Sequence, residues 1–344
     1  MKKFFKELYR KIEVVLWWWL YAIPEFKRIP SVIFNRLMYI IYPKYKFNKD
    51  KKEKTFWDYS YYSFNNFIKW WEFWFERYIE DKKLRKNGEH IDFFQVFWPK
   101  KNLKYSTNKK IFVTYEYIWK DRFPSYDDYC LWKVDFSIWF REYNRKDYYR
   151  FPLWLCTLIE PEETSLNQIK KKIEKLESEK TNFKKDKFAC LIASHDDKGR
   201  VRTKTYNLLS SVWTIWCPWL LLHNIDVKIP KYEDKINFMK EYKFNICPEN
   251  KYYEWYVTEK LVDAIKAWCI PIYYGAFNKF DEKIFNRDRI LFCDDANLEK
   301  KVEELNSDKE KYLEFIKQPI FKENASKILF EYIEEFDSKF SRIF

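Results

Sequence analysis

Three groups of residues carry the chemistry that can be read from this chain. The first lies in residues 243–275, KFNICPENKYYEWYVTEKLVDAIKAWCIPIYYG. There Pro248-Glu249-Asn250 follows an apolar run, and Glu259-Lys260 opens a stretch with helical spacing. A lysine beside the free amides of a helix N-terminus suits a diphosphate. The second is Arg202, which starts a helical stretch after the polar loop SHDDKGRV. An arginine there can clamp a phosphate through two parallel hydrogen bonds. The third is Glu116, just past the strand-like IFVTY. A carboxylate facing a cleft from that place can take a proton from an attacking hydroxyl. Spacing alone leaves plainer readings open, with Arg202 as a solvated side chain and Glu116 as a surface glutamate on a loop.

The elements that position these groups follow from periodicity. Leu261, Ala264, Ile265 and Trp268 fall at i, i+3, i+4 and i+7, which predicts a helix over 258–267 with Thr258 as its N-cap. Residues 244–247 and 270–274 read as strands on either side. Strand, helix, strand predicts a right-handed βαβ unit, whose ligands sit beyond the carboxyl ends of the strands. Further strands are predicted at 188–194 and 289–293, and helices at 202–212, 232–242, 298–305, 312–316 and 326–344. Nearer the N-terminus, residues 64–85 read as a helix with Phe67, Trp70, Trp71, Trp74 and Tyr78 on or near one face. Strands at 91–97, 110–115 and 134–140 follow, an alternation that fits an α/β domain. The polar helix 165–180, capped by Ser165, reads as a solvated helix or interdomain linker.

At 344 residues two domains are the default. The net charge of +13, from 65 basic and 52 acidic residues, favours an anionic partner: nucleic acid, anionic lipid or a phosphorylated substrate. The plainer alternative is a lysine-rich solvated surface. Seven cysteines without a CxxC pair read as buried free thiols in a reducing cytosol. Three unpaired histidines argue against a zinc site. Residues 14–23 are too short to span a bilayer, and no secretory cleavage site follows them. Lys2, Lys3, Lys6, Arg10 and Lys11, interleaved with Phe4, Phe5, Leu8 and Tyr9, suggest an interfacial helix on an anionic membrane. A helix packed on the body is the alternative.

Glycine and tryptophan usage is abnormal. The chain has 3 Gly and 17 Trp, where an average share of about 7% would give roughly 24 glycines. Trp268 falls where a left-handed glycine is expected after a helix. Trp213, Trp216 and Trp219 lie in a predicted loop, SSVWTIWCPWL. Many of these tryptophans are therefore read as standing for glycine, through a codon read as glycine in the source and translated here as tryptophan. The alternative is a tryptophan-rich protein with a membrane-facing aromatic surface.

The segment KFNICPEN…YVTEKLVDAIKAWCIPIYYGA resembles the donor-binding signature of the GDP-fucose-dependent α1,3-fucosyltransferases, glycosyltransferase family 10. KFACLIASHDDKGRVRTKTYNLL is similar to the family's first donor-domain strand and its S-N-x(5)-R segment. IFVTYEYIWKDRFPSYDDYCLWKVDFSIWF resembles its T-G-E-N…P-N-F…D-[FY]-A-I-G-F stretch. The resemblance covers about residues 90–340. In it Trp139 and Trp255 fall on family glycines and Trp268 on a small residue. Departures are Tyr115 and Tyr117 around Glu116, Pro248 in place of a Phe, and His195-Asp196 in place of Asn-Pro.

This resemblance implies an α/β GT-B fold, two Rossmann-like domains facing across a cleft. Residues 1–48, of which the resemblance covers none of 1–45, would be a basic aromatic extension and, on their composition, a membrane-surface anchor. Residues 49–165 would bind acceptor and 185–320 GDP-fucose, with 321–344 a C-terminal helix packing back toward the N-terminal domain. Glu116 would be the general base. Arg202 and Lys260 would hold the diphosphate, Glu259 would accept hydrogen bonds from donor sugar hydroxyls, and Asn250 and Tyr256 would complete the pocket. Asp127-Asp128 and Asp294-Asp295 read as loop or cap residues, so no essential metal and no cofactor beyond the donor substrate is expected. The implied reaction is inverting transfer of L-fucose from GDP-fucose to a glycan or lipid-linked oligosaccharide hydroxyl, α-1,3 by analogy. The implied setting is surface polysaccharide or lipopolysaccharide synthesis or protein glycosylation, by a cytoplasmic protein peripheral on the inner face of the membrane. The alternatives are a transferase of another GDP-sugar and a non-enzymatic basic, aromatic binder of nucleic acid. The ordered donor signature argues against the latter, and no nucleic acid is expected.

Overall fold

The alternation of apolar runs with helical periods produces two parallel sheets. This computed structural model describes residues 69–86, 89, 91–94, 103, 108–115, 117, 131–180, 185–197, 199–229 and 232–344. The expectations for residues 1–48, Phe67, Glu116, Asp127-Asp128 and Cys130 lie outside them. Helix α1 (Lys69–Asp81) is followed by β1 (Ile91–Phe94), β2 (Lys109–Val113), β3 (Phe136–Trp139) and β4 (Tyr148–Arg150). These four strands form the first sheet in the order β1-β2-β3-β4, every neighbouring pair parallel. All four residues of β3 are buried, as a strand covered on both faces requires. Helices α2 (Leu153–Leu158) and α3 (Leu166–Glu179) then lead to the second sheet.

That sheet is built from β5 (Lys187–Leu191), α4 (Val201–Ser210), β6 (Ile215–Trp216), α5 (Tyr232–Met239), β7 (Tyr242–Ile246), α6 (Glu259–Lys266), β8 (Ile270–Tyr273), α7 (Asp281–Ile284) and β9 (Leu291–Phe292). Its order is β6-β5-β7-β8-β9, again all parallel. Helices α8 (Leu298–Ser307), α9 (Lys309–Lys317) and α10 (Ala325–Phe340) complete the chain. Two parallel-sheet α/β units are the GT-B architecture.

Several local expectations need correction. The predicted loop at 210–220 contains edge strand β6, which pairs with β5 at Ala189 and Cys190. Helix α3 does run between the two sheets with most of its residues exposed, but it also packs: Ile169 and Leu176 are buried, and the helix lies against α10. Its Ser165 does cap, in a reciprocal pair with Gln168. β4 and α2 had no signal. β4 is three residues long, and all six residues of α2 are buried, which removes any polar stripe to read. Of the six described cysteines all are free thiols and five are buried. No helix among the described residues is long and apolar enough to cross a membrane.

The backbone singles out two of the tryptophans. Trp268 has φ 53° and Trp255 φ 74°, a region costly for any residue with a Cβ and open to glycine. Trp268 follows α6. Its amide bonds to the Ile265 carbonyl at 2.9 Å, and the Cys269 amide bonds to the Ala264 carbonyl at 2.9 Å. This pair of bonds is the Schellman closure, in which the left-handed residue is usually glycine. Trp255 is the third residue of a turn closed by Tyr256 N–H to the Tyr253 carbonyl at 3.0 Å. A positive φ there marks a type II turn, which also favours glycine. Trp139 differs: it sits inside β3, is 4% exposed and is not left-handed. A Gly-versus-Ala comparison isolates backbone strain from lost packing, because both substitutions delete the indole. Trp255→Gly should be more stable than Trp255→Ala by about 1 kcal/mol in urea melts. Equal stabilities would contradict a left-handed residue 255. Peptide mass spectrometry of the protein from its natural source checks the miscoding reading directly, with tryptophan at 268 sinking it.

The two sheets are held together by aromatic packing. Phe336 and Phe340 of α10 lie against Phe75 of α1, with ring centroids 5.8 and 6.5 Å apart. Phe340 also reaches Phe136 of β3 at 5.2 Å. Tyr78 Oη donates to Asp337 at 2.8 Å, and Tyr149 Oη to the Tyr332 carbonyl at 2.8 Å. On the other side α2 packs on α6, and Trp154 Nε1 donates to Asp281 of α7 at 2.9 Å.

Candidate active site

The carboxyl ends of β7 and β8 converge on one carboxylate. Glu249, three residues past β7, has no exposed surface. It accepts hydrogen bonds from the Thr258 amide (2.7 Å), the Thr258 hydroxyl (2.6 Å) and the Tyr273 phenol (3.1 Å), and it lies 3.2 Å from Lys260 Nζ. Thr258 is the N-cap residue of α6, but its side chain caps no helix amide. The expected capping hydroxyl instead donates to Glu249, because a buried carboxylate needs donors more than the helix needs that cap. Gly275 permits the arrangement: a Cβ there would collide with the Tyr273 phenol. Glu249 thus pins the N-terminus of α6 to the ends of β7 and β8.

Arg202, 3% exposed, spans the loops after β5 and β7. One guanidinium nitrogen donates to the His195 carbonyl at 2.6 Å. The other donates to the Pro248 carbonyl at 2.9 Å and to Asn250 Oδ1 at 2.7 Å. Arg202 and Asn250 are therefore in direct contact. The start of α4 is capped by Asp197, whose carboxylate accepts from the amides of Gly199 and Val201. Lys260 Nζ lies 2.8 Å from Thr258 Oγ1 and 3.4 Å from Glu259. Burial pulls the Lys260 ammonium toward deprotonation, but Glu249 and Glu259 outweigh it and raise its pKa above the ordinary value. Burial also pushes Glu259 up, and here the charges of Lys260 and Lys235 win, holding that carboxyl at about 2.

Lys235 is a residue that sequence reasoning missed. It is 7% exposed and donates to Asp263 at 2.6 Å, a carboxylate with no exposed surface that also accepts from the Tyr232 phenol. The signal was present in α6: a lone Asp between Val262 and Ala264 on an apolar face requires a buried partner. Arg202, Lys235, Lys260, Asp263, Asn245 and Pro248 line one cavity of about 20 Å³, room for a water or a single ligand oxygen.

Tyr256 faces the first sheet. It is 3% exposed, with its ring 4.9 Å from Phe140 and 6.4 Å from Tyr117. Tyr253 lies 4.7 Å from Tyr117, and Lys251 Nζ sits 3.9 Å from the same ring. The segments that follow β2 and β3 therefore meet the segment that precedes α6. Glu116, between Tyr115 and Tyr117, lies outside the described residues. Among the described residues no group of three or more His, Cys, Asp and Glu is placed to hold a metal.

The depressed carboxyl of Glu259 has a stability consequence. A carboxylate whose folded pKa lies below its unfolded value stabilises the fold above the unfolded pKa, and that contribution is lost as pH falls through the folded pKa. From 4.5 to about 2, the contribution is on the order of 3 kcal/mol. Urea melts should show wild type losing stability relative to Glu259→Gln as pH falls from 4.5 toward 2. A pH-independent difference would contradict the charge assignment.

Residues 182–325 match the family model described as glycosyltransferase family 10 (fucosyltransferase) C-terminal. Over 89 residues the chain is 33% identical to alpha-(1,3)-fucosyltransferase FucT of Helicobacter pylori, covering 26% of this chain and 18% of that protein. Over 105 residues it is 32% identical to GDP-fucose protein O-fucosyltransferase 3 of Xenopus laevis, covering 28% and 22%. The match thus spans about a fifth of either relative's length. A crystal structure of an alpha1,3-fucosyltransferase superposes with a TM-score of 0.46 at 22% identity, over 71% of this chain and 76% of that one. Arg202, Glu249, Asn250, Tyr256, Glu259 and Lys260 all lie within residues 182–325, the segment that the glycosyltransferase family 10 model matches.

Proposed function

We propose that this protein is an inverting fucosyltransferase that moves L-fucose from GDP-fucose to a hydroxyl of a glycan acceptor. One observation carries the reading. Arg202 and Lys260 come together beside one small cavity, large enough for a single ligand oxygen, at the carboxyl ends of β5 and β7 and inside the segment that the family model matches. Breaking the bond between sugar and diphosphate places negative charge on the departing GDP. Two fixed cations and the amides of α6 stabilise that charge without reorganising, which is where such electrostatic help is most effective. Glu259, ionised through the working pH range, accepts hydrogen bonds from the fucosyl hydroxyls. Glu116 takes the proton from the acceptor hydroxyl as it attacks the face opposite the leaving group. Inversion follows from a single in-line displacement.

The leaving-group charge is met by side chains and a helix end, so the proposal requires no metal, and activity should survive EDTA. The α-1,3 linkage is taken from the names of relatives. A surface-glycan setting at the cytoplasmic face of a membrane is part of the same proposal, with the basic residues of 1–48 as the lipid contact. The test is release of fucose and of transferred product from a panel of GDP-sugars. Turnover of GDP-fucose above the others supports the reading. Preference for a different GDP-sugar replaces the donor, and binding of oligonucleotide without GDP-sugar turnover removes the enzyme.

A further inference from the structure

The chemistry above leaves Tyr252, Tyr274 and Asp294 without a part, although they follow β7, β8 and β9 at the same carboxyl end of the second sheet. Tyr252 is 54% exposed, two residues past Asn250. Its ring lies 5.1 Å from that of Tyr274, the residue after β8, with planes inclined by 47°. The Glu249 amide donates to the Tyr274 carbonyl at 2.8 Å, so this aromatic pair adjoins the carboxylate that anchors Lys260. The next strand, β9, runs parallel to β8 with Tyr273 opposite Phe292, which brings Asp294 to the same end of the sheet. Asp294 is exposed, and no hydrogen bond or salt bridge among the described residues engages its carboxylate. Its neighbour Asp295 is different: it accepts from the Asn297 amide at 2.8 Å and pairs with Lys301 at 2.6 Å. The cap reading of the Asp-Asp pair thus fits Asp295 and leaves Asp294 unused. Burial, then the charges of Asp294 and Asp197, push the Tyr274 phenol up, so both carboxylates act on this ring.

We propose that Tyr252, Tyr274 and Asp294 form the subsite for the donor's base, and that Asp294 makes it specific for guanine. This rests on the reading of the donor as a GDP-sugar. The fucosyl end must face the first sheet, where Tyr253 and Tyr256 touch Tyr117 and Phe140. With the diphosphate at Lys260 and Arg202, the nucleoside extends away across the ends of β8 and β9. A purine stacks on exposed phenol rings whatever its substituents. Guanine is distinguished by two adjacent donors, N1–H and the 2-amino group. A carboxylate has two acceptor oxygens in matching geometry and no donor of its own. Adenine offers an acceptor at N1 and would be rejected, because its lone pair would meet the carboxylate. Asp197 cannot serve in this way, since its oxygens already accept the amides of Gly199 and Val201.

The test is equilibrium binding of GDP, inosine diphosphate and ADP to the full chain and to Asp294→Ala and Tyr252→Ala. Inosine diphosphate lacks only the 2-amino group. Wild type should bind GDP about tenfold or more tighter than inosine diphosphate. Asp294→Ala should weaken GDP by about 10- to 100-fold and bring the two ligands to near-equal affinity. Tyr252→Ala should weaken both by about 5- to 100-fold and preserve their ratio. Both side chains are exposed, so neither variant threatens the fold. A wild-type GDP to inosine diphosphate ratio in Asp294→Ala overturns the role of Asp294. Unchanged GDP affinity in Tyr252→Ala overturns the stacking platform. Wild type that binds none of the three nucleotides removes the donor reading itself and this subsite with it.

Discussion

Lys260→Ala is expected to lower kcat/KM by about 10²- to 10³-fold, the effect of removing one fixed group that stabilises leaving charge. It should also destabilise the fold, because Glu249 then remains buried without its cation. Breaking a buried pair costs about 3–5 kcal/mol. The three donors that Glu249 keeps, from Thr258 and Tyr273, and the 19% exposure of the Lys260 side chain place this case at the lower end. The two effects can be separated. In Glu249→Gln/Lys260→Met the buried charge and its partner are both gone, so most of the stability should return in urea melts while the rate stays low. A double variant that recovers activity along with stability would show that Lys260 only supports the fold. Arg202→Lys offers a milder comparison: a lysine cannot reach the carbonyls of His195 and Pro248 and Asn250 Oδ1 at once. That variant should lose donor affinity and also about 1–3 kcal/mol of stability, because a buried acceptor is left without its donor.

Glu116→Gln should reduce kcat by about 10²- to 10⁴-fold while leaving GDP binding within about twofold. The amide keeps the size and polarity of the side chain and removes only its ability to take a proton. Slow hydrolysis of GDP-fucose by water should fall much less than transfer to acceptor, since the proposed mechanism assigns the departure of GDP to Arg202 and Lys260. Single-turnover rates with and without acceptor make this measurement. Transfer retained at the wild-type rate would assign the base elsewhere.

The unit β7-α6-β8 was legible in the sequence for a physical reason. An amphipathic helix between two apolar runs has no other way to bury its stripe than against a parallel sheet. The positions of Asn250 after a strand and Lys260 at a helix start followed from that unit, and that of Arg202 from the polar loop before a second helical stretch. What the sequence hid was the direction of hydrogen bonds. Thr258 reads as a cap by residue type, and only the placement of Glu249 turns its hydroxyl the other way. Lys235 looks like one lysine among many, and its burial depends on Asp263 arriving from a different helix. α2 and β4 were invisible because full burial erases periodicity. At Trp268, by contrast, composition and helix-end chemistry agreed with the observed φ of 53°.

The closure by α10 bears on how the chain is made. Tyr78 and Asp337, joined by a hydrogen bond, are 259 residues apart in sequence. Phe75, Phe136 and Phe151 of the first half rest on Phe336 and Phe340. During synthesis the first sheet therefore emerges from the ribosome lacking one wall of its core. The second sheet, whose strands lie within residues 187–292, can close before that wall arrives. The half translated first thus finishes folding last, and its aromatic surface stays open for the interval in which a chaperone has most to offer.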